Sequence, residues 1–131
     1  CISTAPIDRS DDRALKVPMS LIAFVCLSAV AIDGDTLRCA NVREARGLVR
    51  LARVDAPERG APGSAEATRA LESLIGGRTV RCQAVDADPR KRRVQPRDRY
   101  GRIVARCRVG TADLGRALIA SGHAQRWPRN R

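Results

Sequence analysis

Histidine is nearly missing from this chain: His123 is the only one in 131 residues. That excludes ribonuclease chemistry built on two histidines, a His–Asn–His nuclease centre, and a zinc site of two cysteines and two histidines. His123 lies in Ser-Gly-His-Ala, just beyond an expected helix end, where capping or plain surface exposure is the default. Catalysis in such a chain has to run on carboxylates, arginines, a metal or cysteine. Aromatics are equally scarce, 2%, with Phe24, Tyr100 and Trp127 the only ones, so the core must come from Val, Leu, Ile and Ala. No two cysteines form a C-x-x-C pair, which excludes zinc-ribbon and thioredoxin-like readings. The longest apolar stretch, residues 17–32, is shorter than the ~20 residues a spanning helix needs, so stable membrane insertion is not expected. The same stretch offers an A-x-A-like end at Ser28–Ala31, as a signal peptide would. The arm before it, however, carries Asp8, Asp11 and Asp12 where a basic segment is required. We therefore read residues 1–20 as an amino-terminal arm with weak structural demand and residues 21–131 as one domain.

What the chain has in excess is arginine. Lys plus Arg number 25 against 14 Asp plus Glu, a formal charge of +11, and only Lys16 and Lys91 are lysines. Such an excess attracts polyanions, nucleic acid before an anionic membrane surface, and no amphipathic helix with a basic face supports the membrane alternative. Apolar residues at 44% and charged residues at 30% are those of a folded domain. Of the five cysteines, Cys26, Cys39, Cys82 and Cys107 lie in apolar, strand-like contexts. Buried free thiols and one or two disulfides in an exported protein are both open readings. Cys1 stands where Met would, as in a fragment or a processed product.

The pattern predicts strands at Ala23–Ile32, Thr36–Cys39 and Leu48–Val54, the first ended by Asp33-Gly34 and the third by Asp55-Ala56-Pro57. Ser64 is expected to cap a helix running to Ile75, stopped by Gly76-Gly77, with Ala67, Ala70, Leu71, Leu74 and Ile75 as its buried stripe. Strands at Thr79–Val85 and Ile103–Val109 flank a polar loop, Asp86–Arg99. Thr111 is expected to cap a second helix, Ala112–Ser121. Three strands, a helix, two strands and a helix suggest a small closed or partly open barrel of mainly antiparallel strands, a mainly β fold with α (α+β).

Three segments carry the chemistry: Ile32-Asp33-Gly34-Asp35-Thr36, Val49-Arg50-Leu51-Ala52-Arg53-Val54-Asp55-Ala56-Pro57-Glu58, and Asp98-Arg99-Tyr100-Gly101-Arg102. Each alone is an ordinary turn or loop start. Together they place three carboxylates and two arginines at strand ends. Oxygen ligands suit a hard divalent cation, guanidinium gives bidentate donors to phosphate, and a spare carboxylate can orient or deprotonate water. Arg50 and Asp55 are five apart and would face opposite sides of a flat strand, so a shared site requires a bend near Ala52–Val54.

On Asp-Gly-Asp-Thr, Val-Arg-Leu followed by Val-Asp-Ala-Pro-Glu, and Arg-Tyr-Gly-Arg, in order from about Phe24 to Trp127, the chain resembles the staphylococcal nuclease (thermonuclease) family. The resemblance implies a five-stranded OB barrel with packed helices and calcium-dependent, sequence-nonspecific hydrolysis of phosphodiesters in DNA and/or RNA. It implies Asp35 and Asp55 as calcium ligands, with the backbone carbonyl of Ala56 where the family usually has Thr. Glu58 is similar to the carboxylate that activates water, Arg50 and Arg102 to the pair on the scissile phosphate, and Tyr100, with Arg99 beside it, to the tyrosine near a terminal phosphate. The basic run Arg90, Lys91, Arg92 and Arg93 would track the nucleic-acid backbone without reading sequence. Departures from the family are a short loop after Glu58, no third helix, and Trp127 in place of tyrosines after the second helix. Family topology makes Cys82 and Cys107 neighbours and candidates for a bridge, leaving Cys26 and Cys39. Family habit and cysteine usage imply a secreted or periplasmic monomer. The alternative is a noncatalytic nucleic-acid-binding barrel of the same family. Such degenerate domains lose the carboxylates or phosphate arginines that this chain keeps.

Overall fold

A computed structural model describes residues 22–128. Cys1 and the amino-terminal arm expected at residues 1–20 lie outside the described residues. Among the described residues, nine short strands and two α-helices follow one another as β1 (Ala23–Cys26), β2 (Val30–Asp33), β3 (Thr36–Arg38), β4 (Leu48–Leu51), β5 (Val54–Asp55), α1 (Ser64–Ile75), β6 (Val80–Ala84), β7 (Ile103–Val109), β8 (Ala112–Asp113), α2 (Leu114–Ala120) and β9 (Gln125–Arg126). A 3-10 turn, Glu44–Gly47, links β3 to β4. The α+β class is as the sequence implies.

Of the closed and partly open alternatives, the closed barrel is not what forms. The main sheet is an open, mixed path in the order β1-β6-β7-β4-β3-β2, with β8 on the side of β7, and β5 and β9 make a separate two-stranded ladder. The β4–β7 pair is parallel and the other pairs are antiparallel. Its two end strands, β1 and β2, are consecutive in sequence. The single strand expected at Ala23–Ile32 is broken between them, where Ser28 turns the chain with φ 51°. Asn41 holds the break open from the side, its amide donating to the Val25 carbonyl at 2.8 Å and its Oδ1 accepting from the Leu27 N–H at 2.9 Å. The first half pairs with β6 and the second with β3, so the sheet bends around the core without closing.

Alternation along β6, buried at Val80, Cys82 and Ala84 and exposed between, puts one face inward. Leu37, Val49, Leu51, Val54, Val80, Leu71, Leu114 and Leu118 are fully buried there, so aliphatic side chains fill the core as the aromatic shortage demanded. Helix α1 buries Ala67, Leu71 and Ile75 of the expected stripe, with Ala70 and Leu74 at its half-exposed margin. Its start differs in detail: Ser64 is the first helical residue, and Gly63, left-handed at φ 89°, precedes it without a side-chain cap. Helix α2 begins two residues later than expected. Ala112 and Asp113 pair with β7 first, and Asp113 rather than Thr111 is the cap, accepting from the Arg116 N–H. An Asp carboxylate is the stronger cap for the exposed N–H groups and suits the positive helix end.

Two disulfides join strands of the sheet. Cys82 and Cys107, directly opposite on β6 and β7, are bridged, and Cys26 is bridged to Cys39. Among the described residues, no helix is long and apolar enough to cross a membrane.

Candidate active site

Gly34 shapes the site, for a reason other than the tight turn its sequence suggests. A Cβ there would lie 2.5 Å from the Ala67 Cβ and 2.8 Å from the Ala56 Cβ. Only a residue with no side chain lets helix α1 and the Val54–Pro57 segment close on the β2–β3 hairpin. That closure brings Asp35 to Asp55. Asp35 is nearly buried, its Oδ2 accepting from the Ala56 N–H at 2.9 Å and its Oδ1 from the Thr36 hydroxyl at 3.0 Å.

The bend demanded between Arg50 and Asp55 is present. Strand β4 stops at Leu51, Ala52 and Arg53 form a turn, and Arg53 takes a left-handed backbone, φ 62°, before β5 begins. Reversing the pleat in this way puts both side chains on one side. The Arg50 Nη1 donates to the carbonyls of Leu51 and Val54, at 2.9 and 2.7 Å, so the guanidinium is clamped across the very bend that it needs. Its Nη2 lies 3.4 Å from Asp35 and 3.5 Å from Asp55. One guanidinium nitrogen thus faces two carboxylates.

Across the cleft, the Asp98–Arg102 turn is held by a carboxylate the sequence reading left without a role. Asp98 accepts from the N–H groups of Tyr100 and Arg102 and, through its other oxygen, from the Arg102 Nε at 2.7 Å. This fixes the Arg102 fork, whose two terminal nitrogens have no hydrogen-bond or carboxylate partner among the described residues. An Asp opening a turn ahead of Gly was the available signal, since its side chain readily caps backbone N–H groups two residues on. Tyr100 is exposed, with the Arg99 guanidinium 5.0 Å and the Arg102 guanidinium 5.1 Å from its ring, and its hydroxyl accepts from Arg99.

The basic segment folds into the same cleft. Asp86 pins its base, accepting from the N–H groups of Asp88 and Gln95. Asp88 grips Arg90 through two side-chain hydrogen bonds and a third from the Arg90 backbone N–H, and the Arg90 guanidinium lies 5.0 Å from the Trp127 ring. The Asp88 carboxyl is held below its usual value, first by the hydrogen bond from the Arg90 side chain, and Arg90 is raised in turn. Arg97 reaches Glu44 at 2.6 Å; the Glu44 carboxyl is lowered first by its own backbone N–H and then by Arg97.

A cleft of about 870 Å³ gathers these residues. Arg50, Glu58, Arg102, Asp35, Asp55, Ala56, Tyr100, Arg99, Arg90 and Lys91 all line it, whereas Arg92 and Arg93 are exposed outside it. Glu58 is exposed at its edge and its carboxylate has no partner among the described residues, which leaves it open to water. Asp33, Arg53 and Arg59 also line the cleft and were not singled out; Arg59 pairs with Asp33 at 3.3 Å.

The donor set is all oxygen at the Asp35–Asp55 wall, and no cluster of three or more His, Cys, Asp or Glu forms a metal cage among the described residues. Two carboxylates facing one cationic nitrogen fit a hard divalent cation that completes its shell with water and phosphate oxygens, and do not fit a soft or fully protein-caged metal.

Residues 48–130 match the family model described as Staphylococcal nuclease homologue. The match begins at β4, so Asp35 joins the site through the β2–β3 hairpin that lies ahead of it. Among curated proteins no sequence matches.

Proposed function

Because this chain belongs to the staphylococcal nuclease homologue family, whose members are nuclease-like or nucleic-acid-binding, we propose that it is a calcium-dependent, sequence-nonspecific endonuclease acting on DNA and/or RNA. The observation that carries this reading is the convergence of Asp35, Asp55, Arg50, Glu58 and Arg102 on one cleft. A domain that only binds nucleic acid has no use for a spare carboxylate in the same cleft as two fixed guanidiniums.

The work of each group follows from its setting. Arg102, with its Nε tied to Asp98, presents two free nitrogens as a planar fork to a phosphate. Arg50, clamped by two carbonyls, holds its charge in place before substrate arrives and so loses little order on binding it. Glu58 orients a water molecule or takes its proton as it attacks phosphorus, a contribution of typically ~100- to 10,000-fold. Asp35, Asp55 and the Ala56 carbonyl would hold calcium, which when bound supplies positive charge to a phosphate oxygen. The in-line transition state carries more charge on its equatorial oxygens than the ground state, so both arginines act chiefly on rate. Tyr100 and Arg99 line the cleft beside Arg102, where they would meet a terminal phosphate of the substrate. The two bridges support a chain matured in an oxidising compartment, secreted or periplasmic.

The test is a variant series on one single-stranded DNA substrate with calcium. Glu58→Gln and Arg102→Lys each lower turnover at least tenfold, with folding unchanged by circular dichroism, and Arg102→Lys falls nearly as far as Arg102→Ala because an ammonium cannot reproduce the fork. Wild-type turnover in Glu58→Gln contradicts the assignment of the water-activating carboxylate.

A further inference from the structure

Strand β7 runs out of the cleft, and its side chains continue the positive charge. Residues two apart on a strand share a face and recur about every 6.8 Å. Arg102, just ahead of the strand, and Val104 line the cleft, and Arg106 and Arg108 follow on the same face, both exposed. Val104 is buried against Ala52 and against Ala87 at the base of the basic loop. Beyond it, strand β6 sets Arg81 directly opposite Arg108 and Gln83 opposite Arg106.

A shallow groove of about 360 Å³ lies over this face, lined by Phe24, Arg81, Gln83, Arg106, Arg108 and Asp113, and shares no residue with the cleft. None of the three arginines has a carboxylate partner among the described residues. Arg108 donates to the Gly110 carbonyl; Asp113, the one acid lining the groove among the described residues, stands opposite Arg108 in the β7–β8 ladder and gives one oxygen to capping helix α2. Two like charges facing each other across a ladder oppose strand pairing, and an anion between them reverses that sign.

We propose that the outer face of β6 and β7 is a second phosphate-binding surface. It carries the backbone of the nucleic-acid strand that occupies the cleft, through Arg81, Arg106 and Arg108. The inference rests on the nuclease reading above for its substrate class. Nucleic acid rather than an anionic bilayer is the occupant because the arginines continue, along one strand face, the line that begins at Arg102 in the cleft.

The test uses the whole chain with chelator present, so that no cleavage intervenes, and two single-stranded oligonucleotides: one that fills the cleft and one longer by about 20 Å, the span of six strand residues. The variant is Arg81→Gln, Arg106→Gln and Arg108→Gln together, with its thermal midpoint measured alongside. The short oligonucleotide is expected to bind wild type and variant alike. The long one binds the variant more weakly, with the slope of log K against log salt reduced by about 0.7 per lost contact. Equal affinity and slope for the long oligonucleotide, or equal weakening for both lengths, overturns the surface. Loss of binding to phosphatidylserine vesicles with oligonucleotide binding intact overturns it in favour of a membrane. Wild type that binds neither oligonucleotide overturns the nuclease reading itself, a different result from any of these.

Discussion

Gly34 shows how a residue with no side chain can decide a site. Its backbone is not left-handed, so conformational freedom is not its purpose; the closeness of the Ala67 and Ala56 side chains is. Both obstructing atoms are Cβ atoms fixed to backbone, so neither can swing aside. We expect Gly34→Ala to lower stability by about 1–3 kcal/mol, the usual range for overpacking a filled interior, read as a fall in the thermal midpoint. A variant as stable as wild type would mean that helix α1 can back away freely. The sequence announced Asp-Gly as a turn and said nothing of the helix pressed against it. The reverse holds at Arg50: the odd spacing to Asp55 demanded a bend, and the left-handed Arg53 supplies it. Asp98 went unassigned because its task, steering Arg102, exists only once the turn has formed.

At the scale of elements, boundaries moved wherever a tertiary partner outweighed local pattern. The apolar run from Ala23 to Ile32 reads as one strand, yet it serves two partners and breaks at Ser28 to reach both. Thr111 has capping chemistry, but Ala112 and Asp113 are drawn into pairing with β7 and the cap moves to Asp113. Helix α1 and strand β7 matched their patterns because a buried stripe settles the helix and an apolar run, exposed only at Arg106 and Arg108, settles the strand. The bridges belong to this scale too. Cys26–Cys39 spans 13 residues and Cys82–Cys107 spans 25. Removing either pair should cost about 2–4 kcal/mol, measured as a lower denaturant midpoint for Cys82→Ser with Cys107→Ser against the oxidised chain. An unchanged midpoint would show that β6 and β7 hold together without the link.

The basic loop is likewise an element with its own switch. Asp88 is depressed by Arg90, so the clasp is fully formed above the ordinary carboxylate value and is lost as pH falls through the lowered one. The loop therefore stays closed on Trp127 throughout the neutral range. Trp127 is the only tryptophan, so its fluorescence reports the clasp directly. Emission should be flat through neutral pH and change only in acid, and Asp88→Ala should show the altered emission already at neutral pH. Wild-type emission from Asp88→Ala would show that Arg90 rests on the ring without help.

At the scale of the whole molecule, a formal charge of +11 sits on a chain whose acidic groups are few and mostly committed. Asp33, Asp88 and Asp98 hold arginines in place, while Asp35 and Asp55 face Arg50. The acids therefore organise the cleft, and the remaining arginines give it a field that gathers polyanions. Composition alone made the polyanion legible, and the three motifs made the cleft's contents legible. The sequence left open whether the barrel closes, because the strand order allows both; the break at Ser28, which splits the first strand between two partners, is seen only in the fold.

In the function proposed for this chain, the field serves phosphodiester hydrolysis with calcium. The most direct measurement is cleavage of one single-stranded DNA by the wild-type chain with calcium, with chelator, and by Asp35→Ala with calcium. We expect cleavage only in the first, with DNA binding retained in all three. Cleavage that survives the chelator, or tight DNA binding by wild type with no cleavage in calcium, would contradict it.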